Sequence, residues 1–212
     1  VVIVGGGPSG LTAAIELLKG GAKVTLIDRA KAPGGQLIKQ THKFFGSEKE
    51  HASKRGIDIQ KILLNELMNH NDMLTIMSET SVVGLYRDMV VACLRGDTFF
   101  KVKARAIIIA SGASEKSIPF ENNDLPGVYA AGAVQTLMNE YGVRPGKSVL
   151  MGGSGNIGLI VSYQLMQAGV KVKALIEAAP VISGYLVHAS KIRRLGVPIY
   201  TKTSIKRALG KD

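Results

Sequence analysis

A short apolar run, a glycine-rich loop, an amphipathic stretch and a second apolar run occur twice in these 212 residues, 148 positions apart from Gly5 to Gly153. In the first copy Val1–Val4 is a β-branched run, the composition of a strand buried on both faces. Gly5-Gly6-Gly7-Pro8-Ser9-Gly10 follows, then Leu11, Ala14, Ile15 and Leu18 at helical spacing, with Gly20-Gly21 as the stop. Lys23–Asp28 predicts the next strand. In the second copy Ser148–Met151 is the strand, Gly152–Gly158 the loop, Leu159–Ala168 the helix and Val170–Glu177 the following strand. A strand–helix–strand unit this short makes its two strands parallel, with the helix as crossover, so the chain is predicted to be α/β.

The glycines fall at a spacing that has a chemical reason. Gly5, Gly7 and Gly10 read G-x-G-x-x-G, and Gly153, Gly155 and Gly158 repeat it. The first glycine allows the tight strand-to-helix turn. The second lets a pyrophosphate approach the backbone, and the third lets the helix pack closely on the sheet. The helix N-terminus then presents N–H groups and partial positive charge to phosphates. Asp28 and Glu177 end the second strands, 23 and 24 residues after Gly5 and Gly153, where a carboxylate can accept from ribose hydroxyls. Pro8, Ser9, Asn156 and Ile157, within the two loops, and Arg29, next to Asp28, are counted with the expected cofactor-binding residues. A carboxylate at Glu177 repels a 2′-phosphate, and no basic residue occurs between Lys173 and Lys191, so the second site is expected to prefer NAD(H) to NADP(H).

Between the two copies the pattern changes. Residues 30–53 are polar and irregular, Ile57–Met68 is helical with Ile59, Ile62, Leu63 and Leu67 on one face, and Leu74–Met77 is a short strand. Three short strands between Ser81 and Ala106, turning at Arg87-Asp88 and Arg95-Gly96-Asp97, form an antiparallel meander. Ala106–Ala110 is a further apolar strand and ends at Ser111-Gly112. A domain boundary is expected within Pro126–Gly146.

Composition removes other classes. An apolar content of 46% in blocks excludes disorder, and the longest unbroken aliphatic stretch, Ala106–Ala110, is far too short to span a bilayer. The lone Cys93 allows no internal disulfide and reads as a small core residue. No signal or transit peptide is visible, and a reducing, cytoplasmic setting fits. The net charge of +11 is uneven, +2 over residues 1–100 and +9 over 101–212. With no nucleic-acid motif and no interleaved aromatics, it reads as a solvated surface or one facing an acidic partner. The histidines, His42, His51, His70 and His188, show no metal-ligand spacing; His42 alone falls in a loop near the first site.

Taken together these motifs resemble the two-dinucleotide-binding-domain flavoproteins of the pyridine nucleotide–disulfide oxidoreductase class, over essentially all 212 residues. The resemblance implies FAD at the first loop and a nicotinamide nucleotide at the second. It implies an FAD-binding Rossmann-like domain with an antiparallel β-meander (residues 1–125) and a second, inserted Rossmann-like nucleotide domain, truncated here (126–212). Ile107–Ala113 is similar to the class's second flavin motif, with Ser111 where threonine is usual, so Ala110, Ser111 and Gly112 join the expected FAD contacts, as does Val82 beside the adenine. Gly34-Gly35-Gln36-Leu37, Thr41–Ser47, Leu125–Asn139, Gly184–Ala189 and Lys191–Arg194 are similar to a subgroup, the alpha subunits of heteromeric sarcosine oxidases, opine oxidases and dye-linked proline dehydrogenases. This adds Gly35 and Gln36 to the cofactor set and implies an oxidoreductase working beside a second, amine-oxidising flavoprotein subunit. A nucleotide-binding electron-transfer or scaffold subunit is the alternative. The class's redox-active cysteine pair is absent, and no catalytic acid or base stands out. The class's closing G-D flavin segment is not met before Asp212, so a further segment or a second chain is expected to complete the flavin site.

Overall fold

The structure, a computed structural model, describes residues 1–43 and 47–210 and divides into two compact units, Val1–Ala113 and Ser114–Asp212. Phe44–Gly46, in the middle of the Thr41–Ser47 segment, lie outside the described residues, as do Lys211 and Asp212.

In the first unit β1 (Val2–Val4), β2 (Val24–Ile27), β3 (Leu74–Met77) and β7 (Ile107–Ile109) form a parallel sheet in the order β3-β2-β1-β7. The two crossover helices are α1 (Pro8–Lys19) and α2 (Gly56–Met68). Alternation along β1 assigns the faces. Ile3 turns toward the helices and joins Leu11, Ile15, Leu18, Val24, Leu26, Ile59, Leu63 and Leu67 in one cluster. Val2 and Val4 turn the other way, with Ile27 and Met77, onto Val82, Val91, Cys93, Phe100 and Val102. Those last residues belong to an antiparallel meander of β4 (Ser81–Leu85), β5 (Val90–Arg95) and β6 (Thr98–Lys103). Helices, parallel sheet and meander thus make three layers, which is why both β1 faces are apolar. Each large aliphatic buried here contributes roughly 1.5–3 kcal/mol.

In the second unit β8 (Ser148–Gly152), β9 (Lys171–Ile176) and β10 (Ile199–Tyr200) form a parallel sheet in the order β10-β9-β8. Helices α3 (Ala131–Asn139), α4 (Asn156–Gln167) and α5 (Leu186–Arg194) supply Val134, Leu159, Val161, Leu165, Ala189 and Ile192 to its core. The buried amides of Gln135 and Gln164 pair across α3 and α4, Gln135 Nε2 donating to Gln164 Oε1 at 3.0 Å. The sequence reading does not anticipate α3. Its cap residue, Ala130, has no side chain to donate or accept, and the Glu115 carboxylate takes that role from afar, accepting from the N–H groups of Ala131 and Gly132 at 3.0 and 2.7 Å.

Candidate functional site

Two nucleotide-type loops define the candidate sites, one per unit, each at the C-terminal ends of parallel strands, where doubly wound folds hold ligands. In the first unit Gly5 adopts φ +104, and a Cβ there would overlap the carbonyl of Ala110 at the end of β7. A Cβ on Gly10 would overlap the carbonyl oxygen of Gly5. These two glycines are therefore needed by the protein itself. Gly7 is different: its φ is −72, and among the described residues the only neighbour a Cβ would meet is the Gly35 Cα at 3.9 Å. The space over Gly7 is open for a ligand. α1 begins at Pro8 without a side-chain cap and without an acidic residue in its first turn, so the N–H groups of that turn are left to an anion.

Asp28 is stapled to this loop. Oδ2 accepts from the Gly6 N–H at 2.5 Å and Oδ1 from the Ala30 N–H at 2.8 Å. Arg29 beside it is exposed. The Gly34-Gly35 segment lies across the loop: Gly34 N–H donates to the Gly6 carbonyl at 2.7 Å, and Gly35, at φ +53, would press a Cβ to 2.7 Å from the Gly7 Cα. Gln60 Nε2 holds the segment through the Pro33 carbonyl at 2.8 Å. Gln36 is exposed at the start of the short 3-10 turn Gly35–Lys39. Gly5, Gly7, Pro8, Ser9, Gly10, Asp28, Gly35 and Ala110 thus come together around one loop, with Ser111 and Gly112 continuing from Ala110. Val82 lies on β4 of the meander, paired with Cys93.

The second unit repeats this frame. Gly153 sits at φ +96, and a Cβ on Gly158 would overlap the Gly153 carbonyl oxygen. α4 starts at Asn156, again without a side-chain cap; Ile157 is 51% exposed on its first turn. Ser154 takes the place of Gly6 and Glu177 that of Asp28. Glu177 Oε2 accepts from the Ser154 N–H at 2.9 Å, the Ser154 hydroxyl at 2.6 Å and the Ser183 hydroxyl at 3.2 Å, while Oε1 accepts from the Ala179 N–H at 3.0 Å. Led by the Ser154 hydroxyl, these bonds hold the Glu177 carboxyl down to about 2. Gly184 crosses the loop as Gly34 does, donating its N–H to the Ser154 carbonyl at 2.9 Å, and Asn156 Oδ1 accepts from the Tyr185 N–H at 2.8 Å.

The sequence reading missed Ser154, Ser183 and Gly184 as members of the second site. The signal available was Gly34-Gly35, already singled out, whose counterpart after the second acid is Gly184. His42 is half-buried in the bend after the 3-10 turn, and burial pushes the His188 imidazole below its ordinary value, with Lys191 adding to it. Among the described residues no group of histidine, cysteine and carboxylate side chains could hold a metal, and no helix is long and apolar enough to cross a membrane. Cys93 is fully buried, and burial raises its thiol pKa, the reverse of what a reactive thiolate needs.

Fold and loops together define an α/β chain of the Rossmann-like flavoprotein type. It belongs to the pyridine nucleotide-disulphide oxidoreductase family, whose signature matches residues 1–212. It is 28% identical to the sarcosine oxidase subunit alpha of Rhizobium meliloti over 85% of this chain and 19% of that protein. It is 32% identical to the hydrogen cyanide synthase subunit HcnB of Pseudomonas protegens over 84% of this chain and 38% of that protein. The crystal structure of L-proline dehydrogenase from P. horikoshii superimposes with a TM-score of 0.70 at 29% identity, covering 81% of this chain and 34% of that one. The chain therefore spans well under half the length of each.

Proposed function

We propose that residues 1–212 are the nucleotide-binding part of an FAD-dependent oxidoreductase that works without a redox disulfide, with FAD on the Gly5–Gly10 loop and NAD(H) on the Gly153–Gly158 loop. The observation that carries this reading is the open backbone at Gly7, bounded by Gly35 and by the uncapped start of α1 and flanked by a carboxylate already oriented by two N–H groups. The residues fit the cofactor: a bulky pyrophosphate needs a glycine with free space above it, and an adenosine ribose needs an ordered acceptor. When bound, the flavin supplies the two-electron redox chemistry that the side chains lack. What the chain supplies is position. Gly7 and the first turn of α1 hold phosphates, Asp28 accepts from ribose hydroxyls, and Ala110, Ser111 and Gly112 line the adjoining strand end.

The electron donor is read as either the nicotinamide nucleotide or an amine-oxidising flavoprotein partner, because two of the similar proteins are named as subunits and act, by name, in oxidase and synthase assemblies. The test is to purify the intact protein, record its visible spectrum and follow NADH oxidation with an artificial acceptor. Bound FAD and NADH consumption support the full reading. Bound FAD without NADH consumption moves the protein to the electron-transfer or scaffold alternative. A colourless protein that takes up no FAD overturns both.

A further inference from the structure

We propose that Ser183 gates the second site, its hydroxyl holding the acceptor position on Glu177 that a ribose hydroxyl of the incoming nucleotide takes. This rests on the reading of the Gly153–Gly158 loop as an adenine nucleotide site and concerns what that site must give up to be filled.

The two acids differ in how much of each carboxylate is left for a ligand. Each carboxylate oxygen offers two lone-pair positions. Among the described residues Asp28 accepts one N–H on each oxygen, so one position remains on each for a vicinal diol. Glu177 accepts a single N–H on Oε1 but three donors on Oε2. Oε2 thus carries one donor more than its two lone-pair positions, so a diol that reaches both oxygens of Asp28 reaches Oε2 of Glu177 only as the third, shared donor, in place of Ser183.

One of the three donors on Oε2 can leave. Ser154 is fully buried, its N–H and hydroxyl both point at Glu177, and its carbonyl accepts from Gly184. Ser183 is exposed and makes the longest of the three bonds, 3.2 Å. Its Oγ also lies 3.8 Å from where a Cβ on Gly155 would stand, on the side that this glycine leaves open for a phosphate backbone. The hydroxyl thus lies between the acid and the loop, on the path of the ligand. Among the described residues of the first unit no hydroxyl bonds to Asp28. Aligned through the Gly34 and Gly184 bonds across their loops, the residue that matches Ser183 is Pro33, which has no hydroxyl. A nucleotide entering the second site trades the Ser183 bond for its own, so the net gain from Glu177 is smaller than the same contact at Asp28.

The test is calorimetric titration of the FAD-loaded protein with adenosine 5′-diphosphate and with its 2′,3′-dideoxy analogue, in wild type, Ser183→Ala, Ser183→Thr and Gly155→Val. The heat lost in Gly155→Val identifies the second site. Ser183→Ala is expected to bind the diphosphate about three- to tenfold tighter, the worth of one released hydrogen bond. Ser183→Thr, which keeps the hydroxyl, stays at the wild-type affinity, and the dideoxy analogue shows no gain. Unchanged or weaker binding in Ser183→Ala overturns the gate and leaves the nucleotide site standing. A gain that persists with the dideoxy analogue overturns it too. Absence of any heat that depends on Gly155 overturns the nucleotide reading and the gate with it.

Discussion

Thr80 and Thr203 stand at the same point of the two units: each donates its backbone N–H to the carbonyl oxygen of the acidic residue, Asp28 or Glu177, at 2.9 Å. The residues before them, Glu79 and Lys202, are both left-handed, at φ 51 and 52, and donate to the carbonyls of Ala30 and Ala179, each at 3.0 Å. The threonine hydroxyls turn back to the carbonyls of Ser78 and Thr201 at 2.8 and 3.0 Å. Each acid is thereby gripped by its own carbonyl from the neighbouring strand and by its carboxylate from the glycine loop. Its direction is set by the fold itself, the preorganisation on which the proposed ribose contact would draw.

The glycines of the first loop separate ligand binding from folding. Gly7→Val places its side chain in open space at a backbone conformation that L residues adopt freely. We expect the wild-type circular dichroism spectrum and melting temperature with loss of the flavin absorbance. A folded variant that retains its yellow colour would refute FAD at this loop.

Gly10→Ala should do the opposite. Its methyl overlaps the Gly5 carbonyl oxygen, and only a shift of α1 away from the sheet relieves it. The cost is about 3 kcal/mol, enough to lower the melting temperature of the first unit by roughly ten degrees. Unaltered thermal stability would show that the helix does not pack where it is described.

Glu177 makes stability pH-dependent. Its carboxyl is held at about 2 against an ordinary 4.5, so its contribution is fully present above pH 4.5 and is lost as pH falls toward 2. Glu177→Gln should melt below wild type at pH 7, and the gap should close between pH 4.5 and 2. A constant gap across that range would show that the hydrogen bonds to Ser154 and Ala179 do not favour the ionised form.

Charge at the same position sets the expected cofactor preference. Glu177→Arg should weaken NADH binding and improve NADPH binding relative to wild type, read by titrating both ligands. Tighter binding of NADPH than NADH by the wild type would defeat this argument. The follow-up is Ser154→Ala, which removes the shortest bond to Oε2 and should lower NADH affinity a few-fold by loosening the carboxylate.

Cys93→Ser should be a stability variant alone. The side chain is fully buried among Val2, Ile27 and Val91, and a hydroxyl there costs about 1–3 kcal/mol. Flavin content and NADH oxidation per folded molecule should stay within a few-fold of wild type. A selective loss of turnover at unchanged flavin content would assign the thiol a redox part.

Much of this architecture was legible because its signals are local. The β-branched Val1–Val4, the three-isoleucine strand at 107–109 and the 3.6-residue spacing of Leu11, Ile15 and Leu18 are each read within a dozen residues. The glycine spacing and the acids that end the second strands are short-range too, and Asp28 and Glu177 do meet their loops. Helix α3 was not legible: no capping residue announces it, and its cap is a carboxylate 16 and 17 residues upstream of the N–H groups it accepts from.

By itself, then, the sequence determined two parallel α/β halves, the place of each nucleotide-type loop and the acid that serves it, since backbone propensity and side-chain periodicity act between near neighbours. Tertiary structure decided what surrounds those acids. Gly34 and Gly184 crossing their loops, Glu115 on the start of α3, Thr80 and Thr203 behind the acids, and Ser183 on Glu177 all join different segments of the chain. Such bonds carry no period and no motif. They form once the sheet and helices have packed, when N–H and O–H groups at helix starts and loops take whichever carboxylate or carbonyl that packing brings within reach.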